Sequence, residues 1–429
     1  MRRIRPSLAP KDSSQSPSLL LYSHPFREDA PTIREYVGAF SEHSRFSVTT
    51  WNVRYGMPTA LRNLGPAAII LHYSLFGSYP FELSAEFKRF IARLQCPKIA
   101  LFQDEMHFCK QRFELIRELG IDSVGTLLSE EHHGIYHTNT PATRVFKILT
   151  GYVSRELRDL SQPTLPDWFD RPCDVGYRGR KLSYVYGAGG REKALIAEGF
   201  RTAARDTEFT VDISNEEEDR IYGNNWHKFV ANSKFALGTM SGTSIFDPTG
   251  SIADEVNSYL AANNEASFAD VSEAILHKYE GNIPYRAISP RIFEYAALGT
   301  AMILFRDTYE NIVQPDVHYI PLEKDFSNIE SVFSKMRNQS YVQKIRLRAF
   351  KDLISSNVYG YEVLVSRIDD EIESLGGLPA ASGSVTPLIP STLRLLAYHG
   401  VAALRRSLGV RRKLRTVLTA IKKWLKVPT

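Results

Sequence analysis

Ser289-Pro-Arg-Ile-Phe-Glu-Tyr-Ala-Ala-Leu-Gly-Thr-Ala-Met-Ile-Leu304 runs a short amphipathic helix through a glycine stop into an apolar strand. Ser289 is a natural N-cap, and Pro290 suits the first helical position, where its missing N–H leaves nothing unsatisfied. Ile292, Phe293, Ala296 and Ala297 make the apolar stripe. Gly299 ends the helix and Ala301 to Phe305 form the next strand, so the segment is an αβ step of a parallel sheet. Arg291 and Glu294 are three apart and share a face. Free N–H groups and the helix dipole favour an anion at the helix start, an arginine adds a bidentate phosphate clamp, and a carboxylate one turn later can accept from ribose hydroxyls. That is the polarity order of a nucleoside diphosphate. The same pair also fits an ordinary surface ion pair on a sheet-covering helix, which is weakly stabilising.

Outward from this step the chain alternates strands and helices. In the first half, apolar strands are expected at Leu19 to Tyr22, Ala67 to His72, Lys98 to Phe102 and Ile121 to Leu128, with helices at Pro31 to His43, Ser84 to Leu94 and Phe108 to Leu119. After the proline-rich link Gln162 to Pro166 a second set begins. Its strands are expected near Ser183 to Tyr186, Phe209 to Asp212, Phe235 to Leu237, Ala301 to Leu304 and His318 to Ile320, and its helices at Glu192 to Arg205, Arg220 to Ser233, Ser289 to Leu298 and Tyr341 to Ser356. The fold class is therefore α/β, two Rossmann-like lobes facing a cleft, at 17–165 and 166–374. Residues 245–283 form a long, weakly patterned insertion, a functional loop or lid. Residues 1–16 are a disordered basic arm, 375–390 a flexible linker and 391–429 a basic amphipathic tail.

Candidate chemistry gathers after the strands. Tyr186-Gly-Ala-Gly-Gly-Arg-Glu-Lys193 has the glycines of a tight turn opening a helix, with Gly189 allowing close backbone approach and Arg191 and Lys193 adding charge for a diphosphate. A glycine-rich turn with solvated basic residues has the same look. Arg178 and Arg180 flank a glycine just upstream. Gly238-Thr-Met-Ser-Gly-Thr-Ser244 follows a strand, and Ser241 and Thr243 suit a loop that approaches sugar or phosphate, or a plain turn. In the first lobe His24, His72 and the pair Asp104 and Glu105 follow strand ends, where open α/β sheets keep their ligand crevice. A carboxylate or imidazole at such a crevice can take a proton from a bound hydroxyl, which makes these four the catalytic candidates, Asp104 and Glu105 first. Each could equally hold its loop together. Asp-x-Asp does not occur, and His132 and His133 have no ligand-spaced partner, so neither a metal nor a cofactor is expected.

The string at 289–304 resembles the C-terminal signature of GT-B glycosyltransferases of the group 1 kind, with a spore-maturation-protein-like C-terminal domain, over roughly residues 170 to 372. The resemblance implies that 17–165 is an acceptor lobe and 166–374 a donor lobe, that Glu294 binds the donor ribose next to Ser289 and Arg291 of the helix start, and that a Gly-Arg element with a following lysine grips the pyrophosphate. The last role carries over to Lys193 with Arg178, Arg180 or Arg191 as partner. Many retaining members place a glutamate eight positions before the ribose carboxylate; here Arg286 stands there, which leaves the stereochemistry open.

At 429 residues and 43% hydrophobic content the chain is long enough for two sizeable cores. Three cysteines without metal spacing argue for reduced thiols, and neither a signal peptide nor a membrane span is visible, so a cytoplasmic protein is expected. The net charge of +5 belongs to the tail: residues 391–429 hold ten Lys and Arg and no carboxylate, leaving 43 basic against 48 acidic residues. Leu393, Ala397, Val401, Leu404 and Leu408, then Leu414, Val417, Ile421 and Trp424, recur at three-to-four spacing opposite Arg405, Arg406, Arg412, Lys413, Lys422 and Lys423, as in a helix that lies on an anionic membrane. Docking on the body's own acidic surface and a nucleic-acid arm are its rivals. The expected function is metal-independent transfer of a sugar from a UDP- or GDP-sugar to a glycan or lipid-linked acceptor in surface polysaccharide synthesis, at the inner face of the plasma membrane, with no nucleic acid as partner. A sugar-nucleotide epimerase and a non-catalytic scaffold that binds nucleotide sugar are the alternatives.

Overall fold

The computed structural model describes residues 17–24, 31–160 and 167–377. The amino-terminal arm, the link at 162–166, the tail and all but the first three residues of the 375–390 linker lie outside them.

Leu19, Leu20 and Leu21 have no solvent exposure, which is what an uninterrupted apolar run becomes in a parallel sheet covered on both faces. They belong to β1 (Ser18–Tyr22), which lies between β2 (Val48–Asn52) and β3 (Ile69–Leu71); β4 (Lys98–Leu101), β5 (Ser123–Thr126) and β6 (Arg144–Lys147) continue the sheet. Its order is β2-β1-β3-β4-β5-β6 and every pair is parallel. Helices α1 (Pro31–His43), α2 (Thr59–Arg62), α3 (Ala85–Arg93), α4 (Cys109–Leu119) and α5 (Gly134–Asn139) connect the strands. β2 and β6 went unseen in the sequence for one reason. Both are edge strands, and their threonines, arginine and lysine break the apolar pattern.

The chain then leaves the first sheet through α6 (Arg155–Leu160) and builds a second. β7 (Cys173–Arg178), β8 (Val211–Ser214), β9 (Ser233–Gly238), β12 (Ala301–Phe305) and β13 (Ile320–Leu322) form a parallel sheet of order β13-β12-β9-β7-β8, while β10 (Ser241–Thr243) and β11 (Tyr285–Ala287) pair antiparallel beside it. α7 (Gly187–Ala203), α8 (Asn224–Ala231), α11 (Arg291–Ala297), α12 (Ile329–Arg337) and α13 (Gln339–Phe350) cover the strands. The insertion is helical, with α9 (Ser251–Ala262) and α10 (Phe268–Ala274) packed on a small core of Ile252, Val256, Val271 and Leu276.

The expected strand at 183–186 is a single 3-10 turn, and the strand lies at β7 instead. Asp174 and Gly176 hid it, yet Asp174 is neutralised within the sheet, accepting from Thr210 and from Lys234 Nζ at 2.9 Å. A last helix, α14 (Tyr361–Ser374), returns from the second sheet to the first lobe. Leu364, Val365, Ile368 and Ile372 join the first core, and Asp369 accepts from Ser44 Oγ at 2.8 Å and Arg45 N at 2.6 Å beyond α1. The outgoing and returning crossings touch, with Val153 N–H donating to Tyr359 O at 2.8 Å. No helix among the described residues is long and apolar enough to cross a membrane.

Candidate active site

The winding of the second sheet reverses between β7 and β9, and open α/β sheets bind ligands outside the strand ends at such a point. A cavity of about 190 Å³ lies there. Gly179 and Arg180 after β7, Gly238 and Thr239 at the end of β9, Lys193 of α7, and Ser289 and Arg291 at the start of α11 line it. The glycine at 179 lets the Asn215 side chain pack against the backbone, since a Cβ would fall 1.9 Å from Asn215 Oδ1.

Arg180, Lys193 and Arg291 have no carboxylate partner among the described residues. Arg291 donates to the carbonyl of Arg178 and lies 4.6 Å over the Trp226 ring. Burial, followed by the charge of Arg291, lowers the Lys193 ammonium to about 8; Arg286 and Arg180 push the same way and Asp104 opposes them. Uncompensated positive charge in a half-buried crevice is a place for an anion.

A second, smaller cavity of about 50 Å³ lies where the lobes meet, between Thr32 and Glu35 of α1, Tyr73, the crossing residues Thr150 to Tyr152, Tyr361, His227 and Glu294. Glu294 Oε2 accepts from Trp226 Nε1 at 2.6 Å. Trp226 thus ties the cation Arg291 to the carboxylate Glu294, which open onto adjacent cavities instead of sharing one. Burial and the neighbouring Glu156 and Glu294 carboxylates raise Glu35 to about 7.

On the first-lobe side Asp104 follows β4 in a left-handed conformation, φ 53°, with its carboxylate exposed. Its charge acts on Lys193, Tyr186 and His107, so it lies within electrostatic reach of the cationic cavity. His107 Nε2 and Tyr186 Oη are 3.0 Å apart, joining the lobes at this point.

Several residues singled out by sequence are placed elsewhere. Glu105 is fully buried and accepts from Thr126 Oγ1 at 2.5 Å, Leu127 N at 3.2 Å, Tyr285 Oη at 2.9 Å and Tyr136 Oη. With its oxygens so occupied it fastens β11 to the first lobe and cannot serve as a base. His72 is sealed between Tyr36 and Tyr73, accepts from Ser74 N, and is held neutral down to about 3 by burial and by His24. His24, at the end of β1, is clasped through its backbone by Asn52, whose Nδ2 donates to His24 O at 3.0 Å.

In the second lobe Arg178 pairs with Asp212 at 2.7 Å and stacks over Phe229, away from the cavity. Arg191 lies over Tyr184 and Phe268. Arg180 is therefore the arginine that joins Lys193. Gly187 to Gly190 do not form a turn between strand and helix; they are the first turn of α7, and Gly189 N donates to Ser244 Oγ at 2.8 Å. That glycine lets the chain just after β10 approach the helix, since a Cβ would fall 2.9 Å from the backbone N of Ser244. Thr243 is buried, its hydroxyl within 2.7 Å of Tyr186 O, and Ser241 is held in the β10–β11 pair, so Thr239 takes the place on the cavity wall expected of them. Ser289 lines the cavity, but α11 begins one residue later than expected and carries no side-chain cap. Arg286 is locked between Glu192 at 2.6 Å and Asp307 at 2.8 Å, with Lys324 bound to both acids. No group of three or more His, Cys, Asp or Glu side chains among the described residues is placed to hold a metal ion.

Sequence reasoning missed Glu35, Trp226 and His107. Glu35 follows Arg34 on a helix and reads as a solvated charge, and nothing local marks the other two.

No protein-family model matches the chain, and no curated protein sequence matches it. Solved structures do. An α-glucosyltransferase in complex with UDP-glucose and DNA containing an abasic site superposes with a TM-score of 0.50 at 9% identity, covering 83% of this chain and 98% of its own. The fold is GT-B. A second α-glucosyltransferase structure, with UDP and a 13-mer DNA, aligns over 83% of this chain and 99% of its own at 10% identity and a TM-score of 0.49. The T4 phage enzyme BGT in complex with UDP-glucose aligns over 83% and 98% at 11% and 0.47.

Proposed function

We propose that the protein is a glycosyltransferase that moves a sugar from a UDP- or GDP-sugar to a hydroxyl of a glycan or lipid-linked acceptor. The observation that carries this is the convergence of Arg180, Lys193 and Arg291, without a carboxylate partner, on the cavity at the switch point of the second sheet. A diphosphate supplies the missing negative charge, and fixed cations there stabilise it as it leaves. Glu294 takes the ribose with the oxygen not held by Trp226. Asp104, within electrostatic reach of the cations, accepts the proton of the acceptor hydroxyl as its oxygen bonds to the sugar and the sugar–phosphate bond breaks. The group 1 kinship with a spore-maturation-protein-like C-terminal domain belongs to the same proposal, resting on the string at 289–304. So does a cytoplasmic place at an anionic membrane for surface polysaccharide synthesis, argued from the basic residues within 391–426.

The test is a thermal-shift titration with UDP, GDP and CMP, followed by donor-turnover assays with the corresponding sugars. A ligand that binds only the folded protein raises its melting temperature. UDP or GDP should do so, and Arg291→Ala should weaken binding about ten- to a hundredfold, as expected for one charged hydrogen-bonding partner. The proposal fails if no nucleotide shifts the melt or if the variant responds like the parent. Binding without turnover of any donor would instead identify a scaffold, the reading favoured by Arg286 at a position where many relatives carry an acid.

A further inference from the structure

Two loops of the first lobe, 76–81 after β3 and 103–108 before α4, are fixed from beneath by one side chain. Arg112, fully buried on α4, donates to Phe76 O at 2.9 Å, to Gln103 O at 3.2 Å and to His107 O, and its guanidinium lies 5.7 Å from the Phe81 ring and 5.5 Å from Phe102. No carboxylate pairs with it among the described residues, so a charge is kept in the core to hold backbone carbonyls. Beside the exposed Asp104, the two loops present a pair of aromatic rings. Tyr79, 53% exposed, stacks on Phe108 with centroids 5.8 Å apart and meets Phe81 edge-on at 5.4 Å. Phe108 has φ 57°, an unfavourable backbone for a phenylalanine. Scattered exposed rings are ordinary on protein surfaces. A stacked pair held out by a buried arginine and a strained backbone is a built feature.

Its neighbours give its chemistry. Phe108 follows the His107 that bonds Tyr186 across the cleft, and His107 N–H donates to Asp104 O at 3.2 Å. The platform therefore shares its loop with Asp104, the residue assigned as base. We infer that Tyr79 and Phe108 form the subsite for a pyranose ring of the acceptor, an inference that rests on the glycosyltransferase assignment above. The C–H face of a pyranose packs on aromatic rings, while its hydroxyl edge finds acceptors and donors in Asp104, His107 and Tyr186. A nucleic acid strand also offers stacking faces, but it brings phosphates towards Asp104, and the loops themselves, Phe76 to Phe81 and Gln103 to Phe108, contain no Lys or Arg.

Saturation-transfer NMR on the full chain, with and without saturating UDP, is the test. The probes are the methyl pyranosides of glucose, galactose, mannose and N-acetylglucosamine, and a dT oligonucleotide. At least one pyranoside should receive saturation through its ring protons, and Tyr79→Ala should weaken its binding about tenfold. UDP binding and the melting temperature should stay as in the parent, which separates loss of this subsite from failure of the donor assignment. Tyr79→Phe should keep binding. The inference is overturned if no pyranoside binds, if Tyr79→Ala and Phe108→Ala bind as the parent does, or if the oligonucleotide binds where the sugars do not.

Discussion

Lys193 is the side chain whose state the site controls most directly. Burial and three arginines lower it to about 8, so the free protein loses this charge just above neutral pH. A bound diphosphate restores it, because an adjacent anion favours the ammonium. Nucleotide affinity should therefore be full below about pH 8 and fall as pH rises through it, by up to about tenfold per unit. Lys193→Met should bind about ten- to a hundredfold more weakly at pH 7 and show no such decline, which calorimetry at pH 7 and 9.5 will report. A parent protein with equal affinity at both values would contradict the role given to this lysine. The same residues show where sequence stops being informative. Arg178, Arg180 and Arg191 are indistinguishable as residue types, yet one is paired with Asp212, one stacks on aromatic rings and only Arg180 reaches the cavity.

Helices α1, α11 and α14 meet at the smaller cavity, and Glu35 of α1 faces Glu294 of α11 there. Glu35 is raised from 4.5 to about 7 by burial first and then by neighbouring carboxylates. A raised carboxyl makes its contribution to stability in full below its unfolded value of about 4.5 and loses it as pH climbs through about 7. Glu35→Gln should therefore melt higher than the parent at pH 8.5, with the gap closing towards pH 5. Melting curves at both values decide, and a gap that is the same at each would remove the titration of Glu35 as its cause. Periodicity alone placed α1 at its observed ends, because its apolar stripe is continuous. It could not place β7, where Gly176 and Asp174 interrupt the pattern and are accommodated only by Ser233, Thr210 and Lys234 from distant segments.

At the scale of the molecule, two parallel sheets share one compact unit, and α14 closes the chain back onto the first of them. That closure makes a stop at Gly377 a sensible truncation, since it retains every helix and strand described. A chain ending there should keep its melting temperature and its response to UDP, and should lose flotation with vesicles containing phosphatidylserine if the ten tail cations hold the membrane. Equal flotation of both chains would reject that role. The alternation of apolar strands with amphipathic helices, the two-lobed α/β architecture and the cationic character of the second lobe were all legible in the amino-acid string, because hydrophobic period and turn chemistry act over a few neighbours. Side-chain pairing between remote segments was not. Glu105 became a buried fastener because Tyr285, 180 residues away, folds onto it, whereas Asp104 beside it, in a left-handed backbone, stays exposed. Adjacent carboxylates of the same chemistry thus acquired opposite fates from burial, a property that exists only once the chain has packed.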